Sequence, residues 1–212
     1  VSDVSIRQRL ASGAAILGLT LSDQAFLQFE TLVSELQRWG KRINLTSVLE
    51  SDEIVKTHLL DSLAAAPHLA GDQILDIGTG AGFPGLPLAI INPQRQFTLL
   101  DGNGKKISFV NHMIATLGLS NAIATKARAE DYAPANPFDT VIARALATVP
   151  RLVEISAHLV REDGQLLALK GKHPAAELED LTACPEWEYS VSKLTVPFLE
   201  AHVRHVVSLR RK

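Results

Sequence analysis

The sequence predicts an α/β fold: a mostly parallel sheet covered on both faces by helices, closed by antiparallel strands at its C-terminal end and preceded by a helical extension. Three observations predict it. From Ile74 onward short apolar runs alternate with helical patterns, the order that builds a parallel sheet. Before Gly78 the apolar periodicity is helical. Between the two lies Leu75-Asp76-Ile77-Gly78-Thr79-Gly80-Ala81-Gly82-Phe83-Pro84-Gly85, an apolar strand that enters a glycine-rich turn and then a helix. Glycines without Cβ let that backbone turn sharply and approach a ligand, and the helix beyond offers free N–H groups.

The elements follow in order. Val4 to Leu17 reads as a short helix. Ser22-Asp23 then precede Phe26, Leu27, Phe29, Leu32, Val33, Leu36 and Trp39, an apolar stripe at helical spacing that ends near Gly40. A third helix is predicted from Asp52 to Ala66, stopped by Pro67. The predicted strands are Ile74–Ile77, Phe97–Leu100, Ala122–Lys126, Thr140–Ala143 and Leu166–Leu169. Trp187–Leu194 and His202–Leu209 have little helix between them, so they are expected to close the sheet as an antiparallel pair. Pro84 suits a first helical turn, where its missing donor costs nothing. This divides the chain into a helical cap at 1–69 and one main domain at 70–212.

Composition sets bounds on function. The 212 residues suffice for one sizeable core, and no apolar run approaches the roughly 18 residues of a membrane span. With no signal-peptide pattern at its start, the chain is expected to be a cytoplasmic protein without a membrane partner, and a monomer. Cys184 is the only cysteine, which excludes an internal disulfide and a cysteine-based zinc cluster. The histidines show no metal constellation: His202 and His205, on one predicted strand, face opposite ways. Net charge is −2, so nothing attracts nucleic acid globally. Local clusters do exist at Arg38, Lys41 and Arg42, at Lys105-Lys106, at Lys170-Gly171-Lys172 and at the basic chain end.

The glycine turn admits several ligands, and the charges around it separate them. A P-loop would end in Gly-Lys-Ser/Thr, and none follows. Gly80-Ala81-Gly82-Phe83-Pro84-Gly85 fits the dinucleotide pattern Gly-x-Gly-x-x-Gly, yet Asp76 just before the first glycine would repel a pyrophosphate. That carboxylate suits a cation such as the sulfonium of S-adenosyl-L-methionine. Asp101, ending the next strand, can accept hydrogen bonds from a ribose diol. The alternative is a tight strand-to-helix turn with no ligand. In open sheets ligands sit beyond the carboxyl ends of the strands, so Gly78, Asp101, Glu130, Arg144 and Lys170 are predicted to share one cleft.

Together these residues resemble a class I methyltransferase with its Rossmann-like sheet. More narrowly, the chain resembles the bacterial 16S ribosomal RNA (guanine-527-N7)-methyltransferase family, also called the glucose-inhibited division protein B family. The resemblance rests on Asn44-Leu45-Thr46-Ser47, His58-Leu59-Leu60-Asp61-Ser62, the Asp76–Leu88 loop, Leu99-Leu100-Asp101 with Lys105-Lys106, Ala143-Arg144-Ala145, Leu169-Lys170-Gly171 and Arg204-His205. These pieces run in order over nearly the whole chain. Two departures stand out: Gly102 where the family pattern has a serine, and Lys105-Lys106 where it has Lys-Arg.

The resemblance implies S-adenosyl-L-methionine contacts at Gly78, Phe83, Ala129, Glu130 and Arg144, which join Asp76, Gly80, Gly82 and Asp101 as the predicted cofactor site. Phe83 is expected to pack on the adenosyl group and Arg144 to pair with a carboxylate or phosphate. Asn44, Lys105, Lys106, Lys170 and Arg204 are the predicted contacts to the implied partner, 16S ribosomal RNA or the small ribosomal subunit. His58, Asp61 and Ser62 are read as local hydrogen bonding that shapes the cleft.

Guanine N7 has a lone pair and no proton, so such a reaction needs alignment rather than a general base, and no catalytic acid or base is predicted. An amino-methylating enzyme would carry Asn/Asp-Pro-Pro-aromatic after the fourth strand, where this chain reads Ile142-Ala143-Arg144-Ala145-Leu146. Asn136-Pro137 precedes that strand and cannot serve. A methyltransferase for another RNA atom or a small molecule, an NAD-dependent oxidoreductase and a non-catalytic binding scaffold remain the competing readings.

Overall fold

A computed structural model describes residues 5–40 and 45–212. Helix α1 (Ile6–Ile16) opens with a capping box in which Ser5 and Gln8 satisfy each other's backbone donors. Helix α2 (Asp23–Gly40) buries Phe29, Leu32, Val33 and Leu36 completely, the centre of the stripe read from the sequence, with Phe26 and Trp39 half-buried and Leu27 turned out to solvent.

The predicted third helix is less regular. It begins as α3 (Ser51–Ile54), widens to a π-helix over Val55–Leu60 and closes as α4 (Asp61–Leu63), with a 3₁₀ turn at Ala66–His68 holding Pro67. A π turn takes up an extra residue and re-aims the side chains after it. Simple 3.6-residue periodicity does not foresee that.

The sheet has seven strands: β1 (Gln73–Ile77), β2 (Gln96–Asp101), β3 (Ala122–Lys126), β4 (Phe138–Arg144), β5 (Val160–Lys170), β6 (Trp187–Leu194) and β7 (Arg204–Arg211). Their order is β3-β2-β1-β4-β5-β7-β6. The first five are parallel, and β7 runs antiparallel between β5 and β6. Chain order therefore reverses between β1 and β4, and a cleft opens there. Two of the shifted bounds bear on the site. β5 starts at Val160, its charged residues 161–163 lying across a register shift opposite β4, and β7 starts at Arg204, so His202 sits in the bend before it rather than on a strand.

Strand alternation sorts the core into two layers. Ile74, Phe97, Leu99, Ile142 and Leu167 pack with α1, α2, α5 (Gly85–Ile91) and α6 (Gly104–Leu117). Leu75, Ile77, Val141, Ala143, Leu166 and Ala168 face α7 (Val149–Ser156) and α8 (Ala175–Glu179). The N-terminal helices and one sheet face thus share a continuous core. No described helix is long and apolar enough to cross a membrane.

Candidate active site

Asp76 lies one residue from Leu75 and Ile77 on β1, so alternation turns it to the face covered by α5. It is completely buried. Its Oδ2 accepts from Thr79 Oγ1 at 2.6 Å and from the Gly85 amide at 2.8 Å, which ties both ends of the glycine turn to the strand. Oδ1 has no partner within the protein, and burial pushes the carboxyl up to about 7. The turn needs its glycines: φ is +67° at Gly78, +61° at Gly80 and +87° at Gly82, and a Cβ at Gly82 would lie 2.2 Å from Leu86. Asp101, at the end of β2, accepts from the Gly80 amide at 3.0 Å and from the Asn103 amide at 2.8 Å, so it fixes the loop while its side chain reaches the cleft.

Two cavities open above the switch point. The first, about 760 Å³, is lined by Gly78, Asp101, Lys106, Ala129, Glu130 and Leu146 among others. Ala129 and Glu130 stand on the 3₁₀ turn after β3, and Glu130 accepts from Arg151 at 3.0 Å. The volume suits a nucleoside-sized ligand. Gly78 is part of its cradle, since a Cβ there would come within 2.7 Å of Leu146. A carboxylate at the rim of the cavity beside a Cβ-free strand end fits an adenosyl group. Lys106 lines this cavity as well, whereas Lys105 points to solvent.

The second cavity, about 480 Å³, lies between the π-helix and the ends of β4, β5 and β7, and it is lined by His58, Asp61, Arg144, Leu169, Arg204 and His205 among others. Asp61, nearly buried, is its hub: Oδ2 accepts from Arg144 at 2.9 Å and Oδ1 from Arg204 Nε at 2.8 Å. Arg144 also donates to the Thr57 carbonyl at 3.2 Å. His58 shares a hydrogen bond of 2.9 Å with Thr46 Oγ1, so two of the sequence pieces that carried the family resemblance meet here. Its ring stacks on Phe83 with centroids 4.8 Å apart, and Arg144 lies 5.5 Å from the Phe83 centroid. Burial, with the Arg144 charge nearby, lowers His58 to about 4, so the imidazole is neutral at pH 7. Ala145, whose φ is +52°, belongs to the walls of both cavities.

The structure brings Gly78, Asp101, Ala129, Glu130 and Arg144 to the cleft as the sequence predicts, but it divides their tasks. Phe83 does not line the adenosyl-sized cavity; it is buried beneath His58 and Arg144 on the other side of the turn. Asp76 faces the loop's own donors. Lys170 Nζ donates to the Ala147 carbonyl and pairs with Glu177, both at 2.7 Å, and Arg204 is held by Asp61. Asn44, Lys41 and Arg42 lie outside the described residues. Cys184 lines neither cavity, and burial raises its thiol pKa. Sequence reasoning missed the hub role of Asp61, although an acid set between Leu59-Leu60 and Leu63 was a signal. It also missed Arg151 and Glu177, which nothing in their local pattern marks.

A doubly wound sheet with a glycine turn at its switch point, an acid ending the second strand and an adenosyl-sized cavity between them defines the class I S-adenosyl-L-methionine-dependent methyltransferases. Solved structures share the fold: M. jannaschii TYW2 in complex with AdoMet has a TM-score of 0.54 at 15% identity, covering 72% of this chain and 77% of that one. P. horikoshii TYW2 in complex with MeSAdo has a TM-score of 0.56 at 13% identity, covering 72% and 62%. The family model for rRNA small subunit methyltransferase G matches residues 26–207, and the chain belongs to that family. Among its relatives, ribosomal RNA small subunit methyltransferase G of Aeromonas salmonicida is 43% identical over 203 residues, 96% of this chain and 97% of the relative. The protein of the same name from Haemophilus influenzae (strain PittEE) is 42% identical over 208 residues, covering 97% and 100%.

Proposed function

We propose that this enzyme transfers the methyl group of S-adenosyl-L-methionine to N7 of guanine 527 in 16S ribosomal RNA, acting in the cytoplasm. The observation that carries the reading is the pair of cavities meeting at Ala145, one sized for an adenosyl ligand and one for a nucleobase. When bound, S-adenosyl-L-methionine supplies an electrophilic methyl on its sulfonium. Gly78 and Ala129 shape its cavity, Asp101 accepts from the ribose hydroxyls, Glu130 stands at the adenine side, and Gly80, Gly82 and Asp76 hold the loop in form. Arg144 lines the second cavity, held by Asp61 over the Phe83 ring, and orients either the base or the methionine end.

N7 needs no proton removed, and the second cavity supports that reading: its one histidine with a marked shift is lowered to about 4 by burial and so is a weak base, and its carboxylate is committed to two arginines. The end of β4 presents Arg144-Ala145-Leu146, without the amide acceptors that an exocyclic amine would require. What the residues supply is alignment and exclusion of water. Asn44, Lys105 and Lys106 supply RNA contacts, Arg204 adds the guanidinium donors that its Nε bond to Asp61 leaves over, and the described helices before residue 69 form a cap beside the base cavity.

The experiment is direct. The protein is incubated with methyl-labelled S-adenosyl-L-methionine and either 16S RNA or small subunits, and the labelled nucleotide is mapped. Label at a single guanine, released by the depurination typical of N7-methylguanine, is the expected result; label on an exocyclic amine or on carbon sinks the proposal.

A further inference from the structure

Ala145 is the wall that the two cavities share, Leu146 and Ala147 continue it along the first, and the backbone of this partition is unusual. Ala145 adopts φ +52°, which costs a residue with a Cβ about 1 kcal/mol or more, so something must hold it there. Leu146, 42% exposed, stands over Gly78. The restraint comes from beyond the segment. Lys170, on the last residue of β5 and only 14% exposed in its side chain, donates from Nζ to the Ala147 carbonyl at 2.7 Å. The same ammonium pairs at 2.7 Å with Glu177 Oε2. Glu177 Oε2 in turn accepts from the Val149 amide at 2.7 Å, the first residue of α7.

We propose that Lys170 and Glu177 are positioning residues: together they latch Ala147 and Val149 from both ends and so hold the partition where methyl donor and base must meet. The arrangement is economical in donors. The Val149 amide, which a helix start leaves unpaired, and the Ala147 carbonyl two residues before it are both satisfied by one ion pair. Lys170 then acts through Ala147 and not by touching RNA phosphate, since a phosphate contact would require it to leave both partners. A group holding a reacting geometry affects rate more than affinity, because small misplacements of aligned groups are costly to the chemical step. The inference rests on the methyl-transfer reading given above.

The test is a double-mutant cycle with Lys170→Met, Glu177→Gln and the two combined. Glu177→Gln keeps an oxygen for the Val149 amide while removing the charge, so it is the milder variant if Lys170→Met folds poorly. Three quantities are read: single-turnover methyl transfer at saturating cofactor, RNA affinity with its salt dependence, and hydrogen exchange of the amides at 145–149 in the free protein. Each single variant should slow transfer about tenfold with the combination no slower than the worse single, while RNA affinity and salt slope hold and exchange at 145–149 rises. If Lys170→Met instead lowers the log–log salt slope by about 0.7 and Glu177→Gln leaves the rate unchanged, Lys170 is a phosphate contact and the latch is wrong. Unchanged exchange in both single variants also overturns it. A wild-type protein that methylates no RNA refutes the substrate reading alone, and the exchange measurement then decides the latch by itself.

Discussion

His58 and Asp76 carry opposite pH dependences within one site. His58 is neutral in the fold and lowered to about 4 from 6.5, so between those values the unfolded chain binds a proton that the folded one refuses, and stability is lost as pH falls. Asp76 is raised from 3.8 to about 7, so its contribution is full at low pH and is lost as pH rises through that window. Over about pH 4.5 to 6 the two slopes, each about 1.4 kcal/mol per unit, nearly cancel. Removing either residue should reveal the other. In urea titrations the stability of His58→Gln relative to wild type should fall by about 1.4 kcal/mol per unit across that range, and that of Asp76→Asn should rise by as much. Parallel pH profiles for wild type and both variants would show that neither group is perturbed as described. Asp76 also shows the limit of residue reading: its place before the glycines was legible, but its direction followed from strand phase and from α5 above it.

Asp61 is where elements that are remote in sequence are tied together. It sits where the π-helix passes into α4 and holds Arg144 of β4 and Arg204 of β7, side chains that are 18% and 24% exposed. Removing the charge leaves two poorly solvated guanidiniums facing each other, a change that costs on the order of 3 to 5 kcal/mol in comparable buried pairs. Asp61→Asn should therefore lose about 3 kcal/mol in chemical denaturation. Adding Arg204→Met should restore part of it, since one stranded charge is then gone. If Asp61→Asn unfolds at the wild-type midpoint, the hub has no energetic weight. The helices and strands themselves were readable because their apolar spacing repeats. The π turn was not, because it interrupts that repeat.

At the scale of the molecule, the N-terminal helices and one face of the sheet share a core, so a ligand bound at the cleft should stabilise them together. S-adenosylhomocysteine at 100 times its Kd should stabilise the protein by about 2.7 kcal/mol, and NAD at the same concentration should add nothing comparable. The NAD-dependent oxidoreductase reading would return if those results were reversed. RNA binding must come from local charge, because the net charge is −2. Lys105 is exposed and has no ion-pair partner among the described residues, so Lys105→Ala should lower the log–log salt slope for RNA by about 0.7 while leaving cofactor affinity near wild type. An unchanged slope would remove Lys105 from the RNA surface.

The sequence by itself determined the α/β architecture, the antiparallel closure, the glycine turn at the end of β1 and the acid at the end of β2. Those are local or periodic properties, written in residue spacing and in the φ that only glycine adopts freely. It also marked Arg144, Lys170 and Arg204 as cations near one cleft. Only the tertiary structure decided what each does. Asp61 takes two of them and Glu177 the third, Phe83 turns from the adenosyl side to stack under His58, and Ala145 divides one expected cleft into two cavities. The physical reason is that a charge's partner is chosen by whichever side chain the fold places within about 3 Å of it. Between Asp61 and Arg204 that choice spans 143 residues, a distance over which no local pattern carries information.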